Sequence, residues 1–322
     1  MKDFEAKILN LREFIDNQMD SIAGNLVFDA ISDLVYYSLS SKGKRLRPIL
    51  LILVGSGFGA ELTDLIHPAL AIEILHTFTL IHDDIMDSDY YRRGRETVHK
   101  KFGINSAILA GDALMSLAFR ELAKAPRNVS GLLVEELSNA MLEICDGQQM
   151  DMDFEKRYDI SKSEYLRMIE KKTGRLIATA CKFGGILAVQ NAEILQKLEE
   201  FGRLVGVAFQ IQDDLLEVIS TEEKMGKSLK SDLESGKKTF LVVDYMEKLS
   251  ESERVNFCEY LITNSDNKTV IIDLFSDSGT IQNAVNLIRE YLEKAKLAIG
   301  NFPINLKSDL IAFIDYLSNR QN

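Results

Sequence analysis

Apolar residues recur at intervals of three and four positions along almost the whole chain, and the alternation typical of strands is hard to find. Leu70, Ile74, Phe78 and Ile81 form one such series. Because an α-helix turns once in about 3.6 residues, this spacing predicts helices with one buried face. The chain is therefore predicted to be all-α, with helices over residues 2–18, 24–39, 46–58, 64–89, 104–123, 129–153, 161–187, 191–220, 237–248, 251–263, 277–298 and 304–319.

Polar residues and glycines indicate where these helices begin and end. Ser161 and Glu164 have the spacing of a capping box and predict a helix start, while Ser276 is a weaker candidate cap. Glycine interrupts helices, so four glycines predict loops. They are Gly43, Gly94, Gly226 and Gly236.

The 322 residues contain four prolines and no linker, low-complexity tract or internal repeat. We therefore expect one domain over residues 1–322. The net charge of −11 argues against non-specific binding to nucleic acid.

The location of the protein is predicted from three observations. The first residues, MKDFEAKILNLREF, lack an apolar signal core, and no stretch reaches about 18 uncharged apolar residues. Three scattered cysteines, Cys145, Cys181 and Cys258, are interpreted as buried free thiols. We expect a cytoplasmic protein without an integral membrane segment.

Two carboxylate clusters, DDIMD and DDLLE, lie in predicted helices about 130 residues apart. Residues four apart share a helix face, so Asp83 lies with Asp87, and Asp213 with Glu217. Carboxylates without histidine or cysteine at ligand spacing suit magnesium better than zinc, and magnesium is often completed by substrate phosphates. The candidate ligands are Asp83, Asp84, Asp87, Asp213 and Glu217.

A lone DDxxD sequence is more often a solvated helix end than a metal site. Here the first cluster follows the apolar run from Phe78 to Ile81, and the second belongs to a polar stripe on an apolar helix. A buried carboxylate needs a counter-charge, and a metal ion would supply one. Both clusters are therefore expected to line one pocket. The stripe comprises Gln210, Asp213, Asp214 and Glu217.

Basic residues gather in four places, each of which taken alone is more often a solvated surface run. Arginine makes forked contacts with phosphate oxygens and lysine acts as a point charge. Beside two acidic clusters they predict two diphosphate subsites, one with metal and one without. The residues are Lys42, Lys44, Arg45 and Arg47; Arg92, Arg93 and Arg95; Lys171 and Lys172; and Lys224, Lys227, Lys230, Lys237 and Lys238.

Taken together, these residues resemble the trans-prenyltransferases of the polyprenyl synthetase family. The motifs GKRLRP, LIHDDIMD, RRG followed by TVH, KTG, FQIQDD, GK and GKKT occur in the family's order between residues 40 and 242. The likeness implies a single-domain helical bundle of the isoprenoid synthase type with a central active-site cavity. Four positions depart from the pattern: Glu217 and Glu96 replace the usual aspartate and proline, and Lys230 and Leu241 the usual glycine and proline.

The resemblance also implies roles for individual residues. Asp83, Asp87 and Asp213 would bind three magnesium ions on an allylic diphosphate, and with Lys172 and Lys227 they form the catalytic set. The residues completing that subsite would be Arg92, Lys172, Thr173, Gln210, Lys227 and Lys237. Those holding isopentenyl diphosphate without a metal would be Lys44, Arg47, His76 and Arg93. Gln148 and Asp151 match a GQxxD stretch of the family and are candidates for a supporting role.

Phe78, five positions before the first aspartate, would limit the length of the product, as in geranylgeranyl diphosphate synthases. The helical angle alone places Phe78 in the core. A farnesyl diphosphate synthase, a terpene cyclase and a non-catalytic subunit of a synthase are the alternatives. Members of the family are usually homodimers, so we expect one here.

Overall fold

The computed structural model describes residues 2–189, 191–219, 236–265 and 267–318. Helices dominate it, which confirms the all-α prediction. They are α1 (Lys2–Gly24), α2 (Ser32–Leu39), α3 (Leu46–Gly57), α4 (Leu62–Met86), α5 (Val98–Phe102), α6 (Ile104–Leu122), α7 (Ser130–Phe154), α8 (Lys162–Ile169), α9 (Arg175–Ala188), α10 (Ala192–Ile219), α11 (Phe240–Met246), α12 (Glu251–Thr263), α13 (Lys268–Asp277), α14 (Thr280–Ala298) and α15 (Ile304–Ser318). A π-helical turn, Glu170–Gly174, joins α8 to α9.

The chain divides into two compact units by its internal contacts. Unit 1 comprises Met1–Ser138, Thr179–Glu199 and Ile299–Asn319. Unit 2 comprises Asn139–Ala178, Glu200–Ala298 and Arg320–Asn322. A single domain over the whole chain stays a prediction.

Helix α4 is the centre of unit 1 and packs along α3 and α6. Its length and apolar composition alone would allow it to cross a membrane, but 61% of its most apolar window is buried inside the protein. The buried core helix of a soluble protein can have the same length and apolar composition as a membrane-spanning helix. Helix α3 is buried from Pro48 to Gly55, and its end packs on α15, where a Cβ on Gly57 would lie 2.7 Å from Leu306 Cδ1.

A buried arginine joins three parts of unit 1. Arg45 is 4% exposed, and its Nε donates to Asp16 Oδ1 on α1 at 2.8 Å. Its Nη1 donates to Glu73 Oε1 on α4, also at 2.8 Å. Burial alone would lower the pKa of Arg45, but the two carboxylates outweigh it and the pKa is raised. Arg45 therefore stabilises the fold, unlike the half-buried or exposed basic residues on either side of it.

The core of unit 2 is rich in aromatic side chains, among them Tyr165, Phe240, Phe257 and Phe275. A fully buried carboxylate, Asp244 on α11, ties three helices of this unit together. Burial alone would raise its pKa, but its donors outweigh burial and lower it. The donors are Lys162 Nζ at 3.1 Å, Lys248 Nζ at 2.9 Å, and Thr280 Oγ1 and Asn283 Nδ2 at 3.0 Å each.

Several boundaries differ from those predicted. The capping box of Ser161 and Glu164 is confirmed at the start of α8. The helix predicted over 24–39 begins only at Ser32, because α1 continues to Gly24 and turns follow it. Ser276 lies inside α13, so its prediction as a cap was wrong; Asn267 caps α13 by accepting from Val270 N. The short helix α5 and the hairpin of β1 (Tyr91–Arg92) with β2 (Arg95–Glu96) were not predicted.

The cysteines only partly match the interpretation as buried thiols. Cys181 is buried, and burial raises the pKa of its thiol. Cys258 is partly buried, and Cys145 is exposed. The prediction was wrong for Cys145 because it lies on the outer face of α7, between the buried Ile144 and the exposed Asp146.

Replacing Arg45 by methionine is expected to destabilise the protein. Asp16 and Glu73 would lose their buried cation, so the free energy of unfolding should fall by about 3–5 kcal/mol. The measurement is urea unfolding followed by circular dichroism. Lys42→Met, three positions away on the exposed loop, is the matched control and should change stability by less than about 0.5 kcal/mol. Equal effects of the two changes would contradict the assignment.

Candidate active site

The first carboxylate cluster lies at the end of α4, in unit 1. Asp83 and Asp87 are half-buried, and Asp87 directly follows the last helical residue with its N–H donating to Asp83 O at 2.8 Å. Its backbone remains helical, so the spacing of four residues still places both carboxylates on one face. Together they present oxygen ligands at the point where a buried helix meets solvent.

Asp84 points to an arginine of the following hairpin. Its Oδ1 accepts from Arg92 Nε at 2.5 Å, and Arg92 Nη2 lies 3.4 Å from Asp89 Oδ2. Burial alone would lower the pKa of Arg92, but Asp84 and Asp89 raise it. Arg92 is thus held as a cation beside the cluster. A metal-binding role for Asp84 stays a prediction.

The hairpin turns through Arg93 and Gly94, whose φ angles are 53° and 73°. Two positive φ values in a two-residue turn match the twist of the flanking strands. Arg93 Nη1 donates to Lys42 O at 3.3 Å, and a Cβ on Gly43 would lie 2.6 Å from the same nitrogen. The lack of a side chain on Gly43 therefore makes room for the Arg93 guanidinium.

Three of the four residues predicted to hold the second diphosphate are close enough to influence one another. Arg47 Nη1 donates to His76 Nε2 at 3.1 Å. Burial first, and then Arg47, Arg93 and other cations, keep the pKa of His76 well below its usual value. His76 is therefore neutral at pH 7, and the surrounding positive charge suits an anion. The fourth, Lys44, is exposed.

In unit 2 the π-helical turn presents the KTG motif. Lys172 Nζ donates to Asp151 Oδ2 at 2.7 Å, and Thr173 Oγ1 donates to Gln210 Oε1 at 2.8 Å. Lys171 bonds separately to Asp146. Such turns are found mostly as single insertions within helices and often at functional sites. Here the turn directs consecutive side chains to different partners.

The second carboxylate cluster is divided by burial. Asp213 and Glu217 on α10 are half-buried, whereas Asp214 is only 5% exposed. Burial is the largest influence on Asp214 and raises its pKa to about 6. Its carboxylate accepts from Tyr165 Oη, from Phe240 N at 2.8 Å and from Gln210 Nε2 at 3.0 Å. Donors on three helices therefore hold this carboxylate, which the single polar stripe in the sequence did not reveal.

Two consecutive lysines before α11 also differ in burial. Lys237 is half-buried, while Lys238 is buried and donates from Nζ to Gly236 O at 2.6 Å and Glu155 O at 3.1 Å. Lys238 thus anchors the backbone beside Lys237. Lys227, together with Lys224, Lys230 and Gly226, lies outside the described residues.

Glycines bring α10 close to the π-helical turn. A Cβ on Gly206 would lie 2.4 Å from Gly174 Cα, and one on Gly202 would lie 2.3 Å from Ala178 Cα. On the other side, a Cβ on Gly147 would lie 2.7 Å from Lys172 N. These contacts leave no room for a methyl group, and they set the distance between Thr173 and Gln210.

Gln148 and Asp151, which the sequence marked for a supporting role, lie on α7. Asp151 binds Lys172, as described above. The side chain of Gln148 is 8% exposed, and neither of its amide atoms has a hydrogen-bond partner among the described residues.

The sequence analysis did not identify Tyr165 as a functional residue. It is an aromatic residue seven positions before Lys172, and it belongs to none of the motifs recognised in the sequence.

Phe78 lies inside unit 1, 8% exposed, with its ring centroid 4.6 Å from that of His82. His82 in turn lies against α6, where a Cβ on Gly111 would be 2.2 Å from His82 Nε2. The ring of Phe78 is therefore held by a neighbour that cannot move towards α6. A role in product length stays a prediction.

The chemistry of the donors fits magnesium. No group of three or more His, Cys, Asp or Glu side chains converges within the described part of the chain. Each cluster instead offers two half-buried carboxylates on one face of a helix. Magnesium commonly takes one or two carboxylates, with water and substrate phosphate completing its octahedron. A shared pocket for both clusters stays a prediction.

Comparison with known proteins identifies the family. The polyprenyl synthetase family model matches residues 28–277. The chain belongs to this family. It is 39% identical over 288 residues to a geranylgeranyl diphosphate synthase from Methanosarcina mazei, covering 88% of each chain. The crystal structure of geranylgeranyl pyrophosphate synthetase from Pyrococcus horikoshii matches with a TM-score of 0.90 and 34% identity over 99% of each chain.

A more distant member was crystallised with ligands. The polyprenyl synthase from Caulobacter crescentus, complexed with calcium and isoprenyl diphosphate, has a TM-score of 0.88 and 26% identity, covering 100% of this chain and 98% of its own. Two of the positions predicted to depart from the family's pattern are Leu241 and Glu96. Leu241 is fully buried in the first turn of α11, and Glu96 belongs to β2, where its carbonyl accepts from Tyr37 Oη at 2.8 Å.

Gly206→Ala is expected to disturb the contact between Thr173 and Gln210. The new methyl group would meet the backbone of Gly174, which has no flexible side chain to move aside. We expect a loss of about 1–3 kcal/mol in the free energy of unfolding, measured by urea denaturation. Gly131→Ala on α7 is the control: nothing lies within 4 Å of its Cβ, so stability should be unchanged or slightly raised. Equal stability of the two variants would show that the helices can separate without cost.

Proposed function

We propose that this chain is a magnesium-dependent trans-prenyltransferase. It condenses isopentenyl diphosphate with an allylic diphosphate to a short-chain, all-trans prenyl diphosphate, and the product is geranylgeranyl diphosphate. The proposal is supported by one combined observation. The chain matches the family over residues 28–277 and contains both carboxylate clusters together with the basic residues expected for two diphosphate subsites. Farnesyl diphosphate is the alternative product.

In this proposal carboxylates bind the allylic diphosphate through magnesium, and basic and polar side chains bind it directly. Asp83, Asp87, Asp213 and Glu217 hold magnesium, which the family uses through its aspartate-rich motifs. Bound magnesium supplies positive charge that stabilises the departing diphosphate. We expect three ions per site.

Arg92 and Lys172 contact the diphosphate oxygens, and both are already oriented by carboxylates, Asp84 and Asp151. Preorganised cations stabilise developing negative charge without the cost of turning them during the reaction. Lys227, Lys237, Thr173 and Gln210 complete the subsite.

The second substrate binds through Arg47, Arg93 and Lys44. Neutral His76 keeps Arg47 oriented towards the phosphate oxygens, because its ring nitrogen accepts an N–H of that side chain. No magnesium is needed for this diphosphate, since arginine side chains bind phosphate oxygens directly.

The reaction breaks the bond between the allylic carbon and the diphosphate oxygen, and the electron pair leaves with the diphosphate. The double bond of isopentenyl diphosphate then attacks the allylic cation and forms the new carbon–carbon bond. The resulting cation loses a proton to the departed diphosphate, which leaves a new double bond. The protein excludes water, which would otherwise capture the cation.

We further propose a homodimer in the cytoplasm. Helix α6 carries three exposed apolar side chains, Ile104, Ile108 and Leu109, within two turns. Apolar side chains grouped on one surface favour contact with another protein chain.

Two other functions fit less well. A terpene cyclase would share the fold and the first carboxylate cluster. It would have no use for the cations that are proposed to bind isopentenyl diphosphate. A non-catalytic subunit commonly lacks one carboxylate cluster, whereas both are present here. Turnover by the protein alone would separate an enzyme from a subunit.

The reaction is tested by incubating the purified protein with isopentenyl diphosphate, an allylic diphosphate and magnesium, and identifying the products by mass spectrometry. We expect prenyl diphosphates longer than the starter, and none when the metal is chelated. Asp83→Asn and Asp213→Asn should each lower kcat by about a hundredfold or more. Asp309→Asn, which breaks only an exposed pair with Lys7, is the control and should retain activity. Failure of the unmodified protein to elongate the starter would refute the proposal.

Product length is tested with Phe78→Ala. Removing the ring deepens the cavity, so we expect a shift from C20 to longer products in the mass spectrum. The matched control is Phe275→Ala, which removes a buried phenyl ring from the core of unit 2 and should lower stability without lengthening the product. An unchanged product from Phe78→Ala would show that another residue forms the floor.

A further inference from the structure

A buried carboxylate that the reaction does not use connects residues of the proposed diphosphate subsite. Asp214 is 5% exposed and its two oxygens have different partners. Oδ1 accepts from Gln210 Nε2 at 3.0 Å. Oδ2 accepts from Phe240 N at 2.8 Å and from the Tyr165 hydroxyl. One side chain therefore joins α8, α10 and α11 at a single point.

The Oδ1 side fixes the orientation of two polar groups. A carboxylate accepts hydrogen bonds only, so Gln210 must direct its NH₂ group to Asp214. The amide oxygen of Gln210 then faces Thr173, which donates its hydroxyl hydrogen at 2.8 Å. A glutamine amide carries two N–H donors and Asp214 takes one, so the other can serve a phosphate oxygen. With this orientation Gln210 acts as a donor towards an anion.

The Oδ2 side fixes the backbone beside Lys237. Phe240 is the first residue of α11 and follows Lys237 by three positions. Lys238, between them, is anchored to the carbonyls of Gly236 and Glu155. The segment that carries Lys237 is therefore held at one end by Asp214 and in its middle by Lys238.

Tyr165 holds the carboxylate itself. Its side chain is 2% exposed, and its ring centroid lies 6.2 Å from that of Phe240. Beyond this hydroxyl, the part of the chain that the structure describes gives Asp214 one donor to each oxygen. Hydrogen bonds to a charged group are stronger than neutral ones, so removing the hydroxyl weakens the restraint on the orientation of the carboxylate.

We propose that Asp214 and Tyr165 are positioning residues for the allylic diphosphate: together they set the amide of Gln210 as a donor and hold the segment of Lys237, without touching the substrate. This inference rests on the proposed function of the same site. A purely structural role would lower the stability of the protein and affect both substrates alike. A positioning role affects the allylic substrate selectively.

The test compares Tyr165→Phe, Gln210→Met and the variant that combines them. Asp214→Ala would leave several buried donors without an acceptor, whereas Tyr165→Phe removes one oxygen atom and keeps the ring. We expect Tyr165→Phe to raise KM for the allylic diphosphate about three- to tenfold, with less than about a twofold change in KM for isopentenyl diphosphate. In the Gln210→Met background the same change should have a smaller effect than in the unmodified protein, because the part of its effect that acts through the Gln210 amide is already lost.

The matched control is Tyr245→Phe on α11. The ring centroid of Tyr245 lies 4.5 Å from that of Phe257, and Tyr245 is not among the hydrogen-bond partners of Asp214 described above. It should match the unmodified enzyme in both KM values. All variants are assayed below the lowest melting temperature of the set, as measured by circular dichroism. The proposal is overturned by an unchanged allylic KM in Tyr165→Phe, by equal changes in both KM values, by additive effects in the combined variant, or by loss of the native fold. Absence of product from the unmodified protein would instead refute the proposed function.

Discussion

The compensation of buried charge is the constraint on which the rest of this structure depends. The helices pack their apolar faces together, and a carboxylate buried between those faces is tolerated only when donors or cations surround it. Asp84 has Arg92, and Glu73 has Arg45. Among the described residues, Asp214 accepts from donors on three helices. Each of these partnerships fixes a neighbouring element, so the same interactions that make burial tolerable also orient the residues proposed to bind substrate.

Much of the fold could be predicted from periodicity, because a long helix with a buried face repeats its signal over many turns. The predicted ranges for α3, α6 and α7 end within a few residues of the observed ones. Short elements were missed for a physical reason. Five residues of α5 cannot show a period, and α13 follows a polar loop whose cap, Asn267, looks like any other turn residue. The hairpin depends on positive φ angles at Arg93 and Gly94. Of these two residue types only glycine commonly adopts a positive φ, so the sequence indicates the turn at Gly94 alone.

The candidate site could be predicted only in outline. Spacing alone puts Asp83 and Asp87 on one face, and the acid-rich and base-rich segments are visible in the sequence. Which member of each run is buried depends on residues far away: Arg45 differs from its neighbours because Asp16, 29 positions earlier, and Glu73, 28 positions later, lie beside it. In the same way Asp214 differs from Asp213 because Tyr165 and Phe240 approach one face of α10. Such partners are a property of tertiary packing and leave no local pattern.

The hairpin after α4 has a consequence for kinetics. Arg92 and Arg93 are consecutive, with one bound to Asp84 and the other lying on the loop around Gly43. Under the proposed roles, each arginine serves a different diphosphate, although Arg92 ends β1 and Arg93 is the first residue of the turn that follows. Under these roles, a shift of one side chain would be transmitted to the other through the shared backbone. The affinities of the two substrates would then be linked reciprocally, and the enzyme could favour an order of binding without any separate regulatory site.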